Sequence, residues 1–510
     1  MLDKYLEPSI RNKLQTFYLL RSRPEISIKE IKELLKTTTA NAFLFLHELS
    51  RDLCGIAEIQ IENSFASLLV YEDVSFLELL HGIYSDSNIL NCLKFLITNR
   101  EQLPFSAYID AHFLSKSAAY RIRESCVHYL HSVGLDIYHN QISGEEYRIR
   151  FLIGLLYYKY GFDCCNIDES STDLARMFIL SSNHVIDRHF LDHSVEEYGL
   201  FECLVILTWK RKDYASPIPP SRDLDMLKEL FPYKKLKTCF QNVVEKALSI
   251  TFSDEDYDYL FLVYCCTNNC VFSDQWTKED VLRLHDIVFS QPAFSDLLHT
   301  LEKRFGNEIM NSHELKAALL YFYKKCILEL QCLIPDKHFY LNSTNSELLL
   351  AIKDCLADIL KNWRQVHKIK YEMDPGHVLY LSTQIGAVLC QLIKPIPVLV
   401  VSDLIAEVVT VRLLLSRVFS PMRVTLIPFF LNAQPISLLR QQKKSIILVY
   451  KKFDHLLSEI GIPEDNVIIP ISSEMTSVDI GKIRKAVLEY ELNESFRLLS
   501  LSENTENEVP

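Results

Sequence analysis

Between Ser115 and Arg123 the sequence SKSAAYRIR holds Lys116, Arg121 and Arg123 and no acid. Such groups suit the edges of nucleic acid. Arg can grip guanine in a bidentate fork, Lys and Ser can hold phosphate oxygens, and Tyr can do either or lie against the sugar–phosphate edge. Yet the chain carries 54 Lys and Arg against 66 Asp and Glu, a formal net charge of −12. That balance argues against non-specific coating of nucleic acid and confines any contact to a focused face.

Spacing the residues of 115–133 at 100° puts Ala119, Ile122, Cys126, Tyr129, Leu130 and Val133 on one face, the packed one. Lys116, Ser117, Tyr120 and Glu124 point the other way, with Arg121 and Arg123 on the flanks. Ser115 begins the helix and Gly134 ends it in the C-cap position. In a helix-turn-helix, the N-terminal half of the third helix enters the major groove, and its N-terminus favours a phosphate. The candidate contact residues are Ser115, Lys116, Ser117, Tyr120, Arg121 and Arg123. Arg148 joins them from YRIR, where period 2 sets Arg148 and Arg150 on one face of a wing, near Glu145 and Glu146.

The surrounding text supplies elements to position that helix. IRNKLQTFYLL is amphipathic, SIKEIKELL has a Ser27 cap with Glu30 three residues on, and TTANAFLFLHELSRDL follows a Thr run. IAEIQIE, the turn residues Asn63–Ser64 and ASLLVYE read as a β-hairpin. Three helices and a hairpin make a winged helix-turn-helix over 1–72. The pattern recurs over 73–152 with SNILNCLKFLI, PFSAYIDAHFL, the basic helix, and a hairpin whose arms flank ISG. The first unit is chemically quieter, offering Thr38, Thr39, Asn41 and His47. Residues 1–150 hold 16 basic against 19 acidic side chains, so this region is no basic clamp.

Residues 151–390 are rich in helix signal and divide near NCVFSDQWTKED into modules at 153–270 and 271–390. From 391 to 500 strands alternate with helices (PIPVLVV, MRVTLIPFF, KKSIILVY, NVIIPIS, with the short helix DHLLSEIGI), a small, mostly parallel α/β domain. Residues 501–510 form a polar tail. The fold class is mainly α and multidomain.

Only 12 Gly and 18 Pro occur in 510 residues, which disfavours turn-rich β folds and glycine-loop nucleotide sites. None of the 14 Cys forms a C-x-x-C pair. Cys164–Cys165 and Cys265–Cys266 lie in helix-like apolar text and read as buried reduced thiols. With no apolar leader and no run of about 18 apolar residues, a soluble cytoplasmic chain that spans no membrane is expected. His189 and His193 lie four apart, but Phe190 stands where a zinc-protease pattern needs Glu, so no metal is expected. No cofactor is called for.

The chain resembles the RofA/Nra-like stand-alone regulators of streptococci, within the Mga/AtxA family. The resemblance is carried by LDKYLEPSIRNKLQ, AHFLSKSAAYRIRE, ISGEEYRIRFLIGLLYYKYG, LTWKRKDYASPIPPSR and DYDYLFLVYCCTNN, and weakens after about residue 390. It implies tandem winged helices that bind double-stranded promoter DNA, the second contributing most. It implies two modules like the PRD regulatory domains of the phosphotransferase system and a C-terminal domain like its EIIB component. It further implies homodimerisation through that domain and activation or repression of virulence, adhesin or pilus-type genes.

In PRD modules, histidines can accept phosphate from the phosphotransferase proteins HPr and enzyme I. The candidates are His184, His189 and His193 in SSNHVIDRHFLDHS and His377 in DPGHVLYL, with His285 weaker. An active EIIB domain needs a cysteine after its first strand, but here that strand runs into Ser402–Asp403–Leu404, so phosphotransfer by this domain is not expected. Two other readings stand beside a non-enzymatic DNA-binding regulator. One is a related RNA-binding antiterminator, disfavoured because such proteins lead with a small β-barrel. The other is an enzyme using the C-terminal α/β domain, weakened by the absence of a glycine-rich loop and of a nucleophile–base pair.

Overall fold

Ser27 and Thr38 each start a helix by accepting a hydrogen bond from a backbone N–H three residues on, Glu30 and Asn41 respectively. With the helix Pro8–Ser22, these caps set out the three helices Pro8–Ser22, Ile28–Leu34 and Thr39–Asp52. The hairpin Ala57–Glu62/Phe65–Val70 follows, closed by Asn63 and Ser64, both at positive φ as a two-residue turn requires. Ile26–Ser27 adds a short third strand against Ala66 and Phe65. This is the first winged unit. The computed structural model describes residues 2–336, 347–453 and 461–504.

A helix not anticipated from the sequence, Phe76–Tyr84, precedes the second unit and opens with a Ser75/Glu78 capping box. Asn88–Thr98, Phe105–Ala111 and Lys116–Ser132 then form its three helices. The wing is shorter than expected. Its strands are Asp136–Tyr138 and Gln141–Ser143, turning at His139 and Asn140 rather than around ISG. The presumed second arm is instead the start of a helix, Glu146–Tyr160, in which every residue except Tyr157 is buried. A segment covered on all sides has no polar face, so a few alternating residues at its start read equally well as strand. Gly161 ends it at φ 76°, with the ring of His81 against its Cα.

Between residues 169 and 392 the described residues are mostly helical, including Glu169–Ser182, Val195–Lys210, Asp254–Cys266, Lys278–Phe289, Glu347–Val366 and Pro375–Leu392. Cys265 and Cys266 are buried at the end of Asp254–Cys266. Cys164 and Cys165 are not helical: they lie half-buried in the loop after Gly161, because that glycine stops the helix before reaching them.

The chain divides into two compact units. The first comprises Met1–Ser295, Lys316–Asn345 and Cys355–Ser382, and the second comprises Asp296–Leu315, Ser346–Asp354 and Thr383–Pro510. The second unit contains a parallel sheet with Val424–Phe430, Ile396–Ser402, Ile446–Tyr450 and Val467–Ile471 in spatial order. Val398, Val400, Ile446 and Leu448 pack into a core on one face of it, and Leu399, Val401, Ile447 and Val449 into a core on the other. A sheet covered on both faces needs such uninterrupted apolar strands. The expected helix DHLLSEIGI falls mostly on 454–460, outside the described residues.

The last helix, Ser477–Asn504, begins with a reciprocal cap and reaches the first residues of the polar tail. Thr476 Oγ1 accepts from the Asp479 N–H, and the Asp479 carboxylate accepts from Thr476 and from Ser472. Burial alone would raise the Asp479 pKa, but these donors override it and hold it at about 2, below its ordinary 3.8. The ionised carboxylate therefore stabilises the fold fully above about pH 4, and the contribution is lost as pH falls toward 2. Asp479→Asn is expected to cost about 1–2 kcal/mol at neutral pH. In urea unfolding, its gap from the wild type should close on acidification; a gap independent of pH would contradict this role.

Candidate nucleic-acid interface

Ser115 caps the helix Lys116–Ser132 by accepting from the Ala118 N–H at 3.3 Å. The packed face is the one expected, with Ala119, Cys126, Tyr129 and Leu130 buried and Ile122 half-buried. Cys126 Sγ donates to the Ile89 carbonyl at 3.7 Å, and the Tyr129 ring meets that of Tyr5 edge-on at 5.7 Å. These contacts hold the helix against its neighbours and turn its opposite side to solvent.

Ser115, Lys116, Ser117, Tyr120, Arg121 and Glu124 are exposed. Arg121 Nε donates to the Ser117 carbonyl at 3.4 Å, which lays its guanidinium back along the first turns. Lys116 has no side-chain hydrogen bond or ion pair among the described residues. Arg123 differs from its neighbours. It is half-buried, its guanidinium sits 5.7 Å from the Phe105 ring centroid, and its Nε is buried without a hydrogen-bond partner among the described residues. The Tyr120 ring lies 5.9 Å from the same Phe105. One buried ring thus sets the positions of two of the candidate side chains.

Three exposed rings next to these elements escaped the sequence reading. Phe113, in the turn before the basic helix, is 97 % exposed at φ 51°. Tyr138 and His139 at the wing tip are exposed, with ring centroids 4.1 Å apart. An exposed aromatic at positive φ has no periodicity signal, so only the turn position could have flagged Phe113. In the first unit Thr38, Thr39, Asn41 and His47 are exposed, as expected.

Arg148 is the main correction. It lies on the helix Glu146–Tyr160 and not on the wing, and it is 2 % exposed. Its Nε donates to the Val133 carbonyl at 2.9 Å, its Nη1 to Leu328 O at 3.1 Å and its Nη2 to Glu329 O at 3.3 Å, while Tyr371 lies 4.4 Å from the guanidinium. All of its donating edges face protein, so it offers nothing to a polyanion. Arg150 is fully buried as well, paired with Glu146 at 3.0 Å and donating to the carbonyls of Arg211 and Tyr214.

His184, His189 and His193 are all exposed on or beside the short helix Arg188–Asp192. The rings of His189 and His193 are 4.3 Å apart, and the intervening Asp192 pairs with Arg176 at 2.6 Å. His377 is instead 2 % exposed in the first turn of Pro375–Leu392, with Nδ1 3.4 Å from Asp336 Oδ2. The packing of that helix start against the segment at 336 removes His377 from the surface that phosphotransfer would need. His285 is also buried, stacked on Phe289 at 4.5 Å. Among the described residues no cluster of His, Cys, Asp or Glu is arranged to hold a metal. At the end of the first strand of the parallel sheet, Ser402 Oγ donates to Glu407 and accepts from the Leu404 N–H.

Arg148→Ala orphans the buried Val133 carbonyl and the half-buried carbonyls of Leu328 and Glu329 at once, and is expected to cost about 2–5 kcal/mol of stability. Thermal unfolding measures that loss. If Arg148→Ala melted like the wild type while losing DNA affinity, the buried role assigned here would be wrong.

Comparison with known protein families gives two matches. A model of the Mga helix-turn-helix domain matches residues 72–157, and a model of the PRD domain of the M protein trans-acting positive regulator (MGA) matches residues 171–382. No curated protein matches the chain. The first span contains the basic helix, its wing and the helix that carries Arg148; the second contains the exposed histidines. The two spans together take in more than half of the chain, and it belongs to the Mga family of helix-turn-helix, PRD-containing transcriptional regulators.

Proposed function

We propose that the chain is a sequence-specific regulator that reads double-stranded promoter DNA with the N-terminal half of Lys116–Ser132. The observation that carries this is the uncompensated cationic surface of Lys116 and Arg121 on an otherwise acidic chain, on the third helix of a helix-turn-helix. In the major groove Arg121 forks onto a guanine edge, while Lys116 and the hydroxyls of Ser115 and Ser117 hold backbone phosphates. Tyr120 adds a contact to the sugar–phosphate edge. Arg123, braced on Phe105, supports the surface and adds positive potential. Family likeness suggests virulence, adhesin or pilus-type genes as targets. Lys116→Ala should weaken binding to all duplexes and lower the slope of log affinity against log salt by about one. Arg121→Ala should cost about 1–3 kcal/mol on the cognate site and little on random duplex. Mobility shifts across a salt series measure both. If Lys116→Ala/Arg121→Ala bound promoter DNA as the wild type does, the assigned surface would be wrong.

Two regulatory elements accompany this reading. In the second unit the helix Ile405–Val418 exposes Ile405 (71 %), Val409 (47 %) and Leu413 (62 %), one apolar stripe at four-residue spacing. That stripe supports homodimerisation through the C-terminal domain. The exposed His184, His189 and His193 support phosphorylation by HPr and enzyme I, each phosphate adding roughly −1.5 to −2 charge to a surface already carrying Asp187 and Asp192. Sedimentation velocity should show a dimer for the wild type and a monomer for Leu413→Asp. Phosphate from enzyme I and HPr should label the wild type and spare a variant with all three histidines replaced by Ala. An unchanged dimer, or unchanged labelling, would remove the corresponding element.

A further inference from the structure

Inside the first unit lies a cavity of about 850 Å³, within the range of about 300–1,000 Å³ typical of small-molecule sites. Its walls come from distant parts of the chain: the helix Pro8–Ser22, the end of Ile28–Leu34, and the segment Glu372–Gly376, which leads into the first turn of the helix Pro375–Leu392. Leu14, Leu19, Leu34, Leu35, Met373 and Pro375 supply apolar surface. Leu34 is half exposed, an unusual state for a leucine between two packed helices.

The charges around the cavity are not equally available. Asp3 is paired with Lys159 at 2.6 Å and accepts from Tyr84 at 3.1 Å. Burial works against its carboxylate, but the charge of Lys159 leads the opposing effects and holds it below the ordinary value. Glu372 pairs with Lys4 at 3.2 Å, and Asp374 accepts from the Gly376 N–H at 2.8 Å. Arg23 pairs with Glu30. Arg11 remains, exposed on the lining, with no side-chain hydrogen bond or ion pair among the described residues. The acids are already satisfied while a guanidinium stands open beside an apolar wall.

We propose that this cavity binds a small amphipathic organic anion, its negative head on Arg11 and its apolar body against Leu14, Leu34, Leu35 and Met373. The site lies one residue from a joint that reaches the basic helix. Glu372 and Met373 follow Tyr371, whose ring covers the Arg148 guanidinium, and Arg148 holds the Val133 carbonyl at the end of Lys116–Ser132. A ligand that bears on the Glu372–Gly376 segment is thereby placed to alter DNA affinity. That second step rests on the DNA-binding reading above; the binding step does not.

The test uses the full chain and the fluorescent probe 1-anilinonaphthalene-8-sulfonate, an aromatic body with one sulfonate. The native protein should bind it with a saturable rise in fluorescence, and decanoate should displace it. Arg11→Ala should weaken decanoate displacement roughly tenfold, the loss of a charge-assisted contact, and leave displacement by decanol unchanged. Leu34→Trp should weaken probe binding by crowding the apolar wall on which its rings lie. Because Arg11 and Leu34 are exposed, both variants should melt as the wild type does, and melting curves check this. No saturable binding, equal displacement from Arg11→Ala, or equal potency of decanol and decanoate on the wild type would each overturn the site. In a second arm, decanoate should shift the promoter-binding midpoint of the wild type and not that of Arg11→Ala. Displacement without such a shift overturns the coupling, and a chain that binds the probe but no promoter DNA overturns the DNA reading and leaves the site standing.

Discussion

The geometry of the candidate interface depends on where one buried guanidinium sits. Arg148 holds the Val133 carbonyl at the end of the basic helix and the carbonyls of Leu328 and Glu329. Its fork is planar and rigid, so it fixes the positions of its acceptors relative to one another as a Lys could not. Leu328 and Glu329 are both held at positive φ, at 50° and 55°, which side-chain-bearing residues seldom adopt. Both residues are half-buried, and each carbonyl accepts a hydrogen bond from the Arg148 guanidinium. The basic helix is therefore a surface whose far end is tied to the regulatory half of the same unit.

A second buried guanidinium does comparable work two residues on. Two residues in a helix are about 200° apart, so Arg148 and Arg150 leave opposite sides of Glu146–Tyr160. Arg148 meets the segment at 328–332, and Arg150 meets the carbonyls of Arg211 and Tyr214. Arg211 in turn grips Glu146 with two hydrogen bonds, at 2.7 and 2.8 Å. Two arginines share one carboxylate, and the remaining positive charge is met by carbonyl dipoles and by the ring of Tyr259, 4.5 Å from Arg150. One helix thus connects to both halves of the helical region through groups that lose their worth if either partner moves.

The same spacing explains what could and could not be read from the sequence. Caps and turns were legible because their chemistry is local: Ser27, Thr38, Ser115, Asn63–Ser64 and Gly134 each act within four residues of themselves. The outward face of Lys116–Ser132 was legible because one side is solvated and the pattern shows it. Arg148 and Arg150 were misplaced because alternation at YRIR fits a strand as well as a helix buried all round. Glu146, the carboxylate paired with Arg150, is local, but the carbonyls that accept from the two guanidinium groups lie about 60 and 180 residues away. His377 was misjudged for a related reason, since its partner Asp336 is 41 residues distant. Burial by remote chain leaves no mark on the local text.

The acidic balance of the chain bears directly on how so small a basic face could discriminate. A broad cationic surface gains affinity from every phosphate and so raises non-specific binding along with specific binding. Here the arginines that could have broadened the surface, Arg148 and Arg150, are turned inward as structural ties, and Arg123 is half withdrawn onto Phe105. What is left outside is a patch about two helical turns long, bounded by Glu124. A surface of that size offers few cations to phosphate, so discrimination between duplexes would have to rest on contacts other than bulk charge. The inward arginines are what hold the outer surface small.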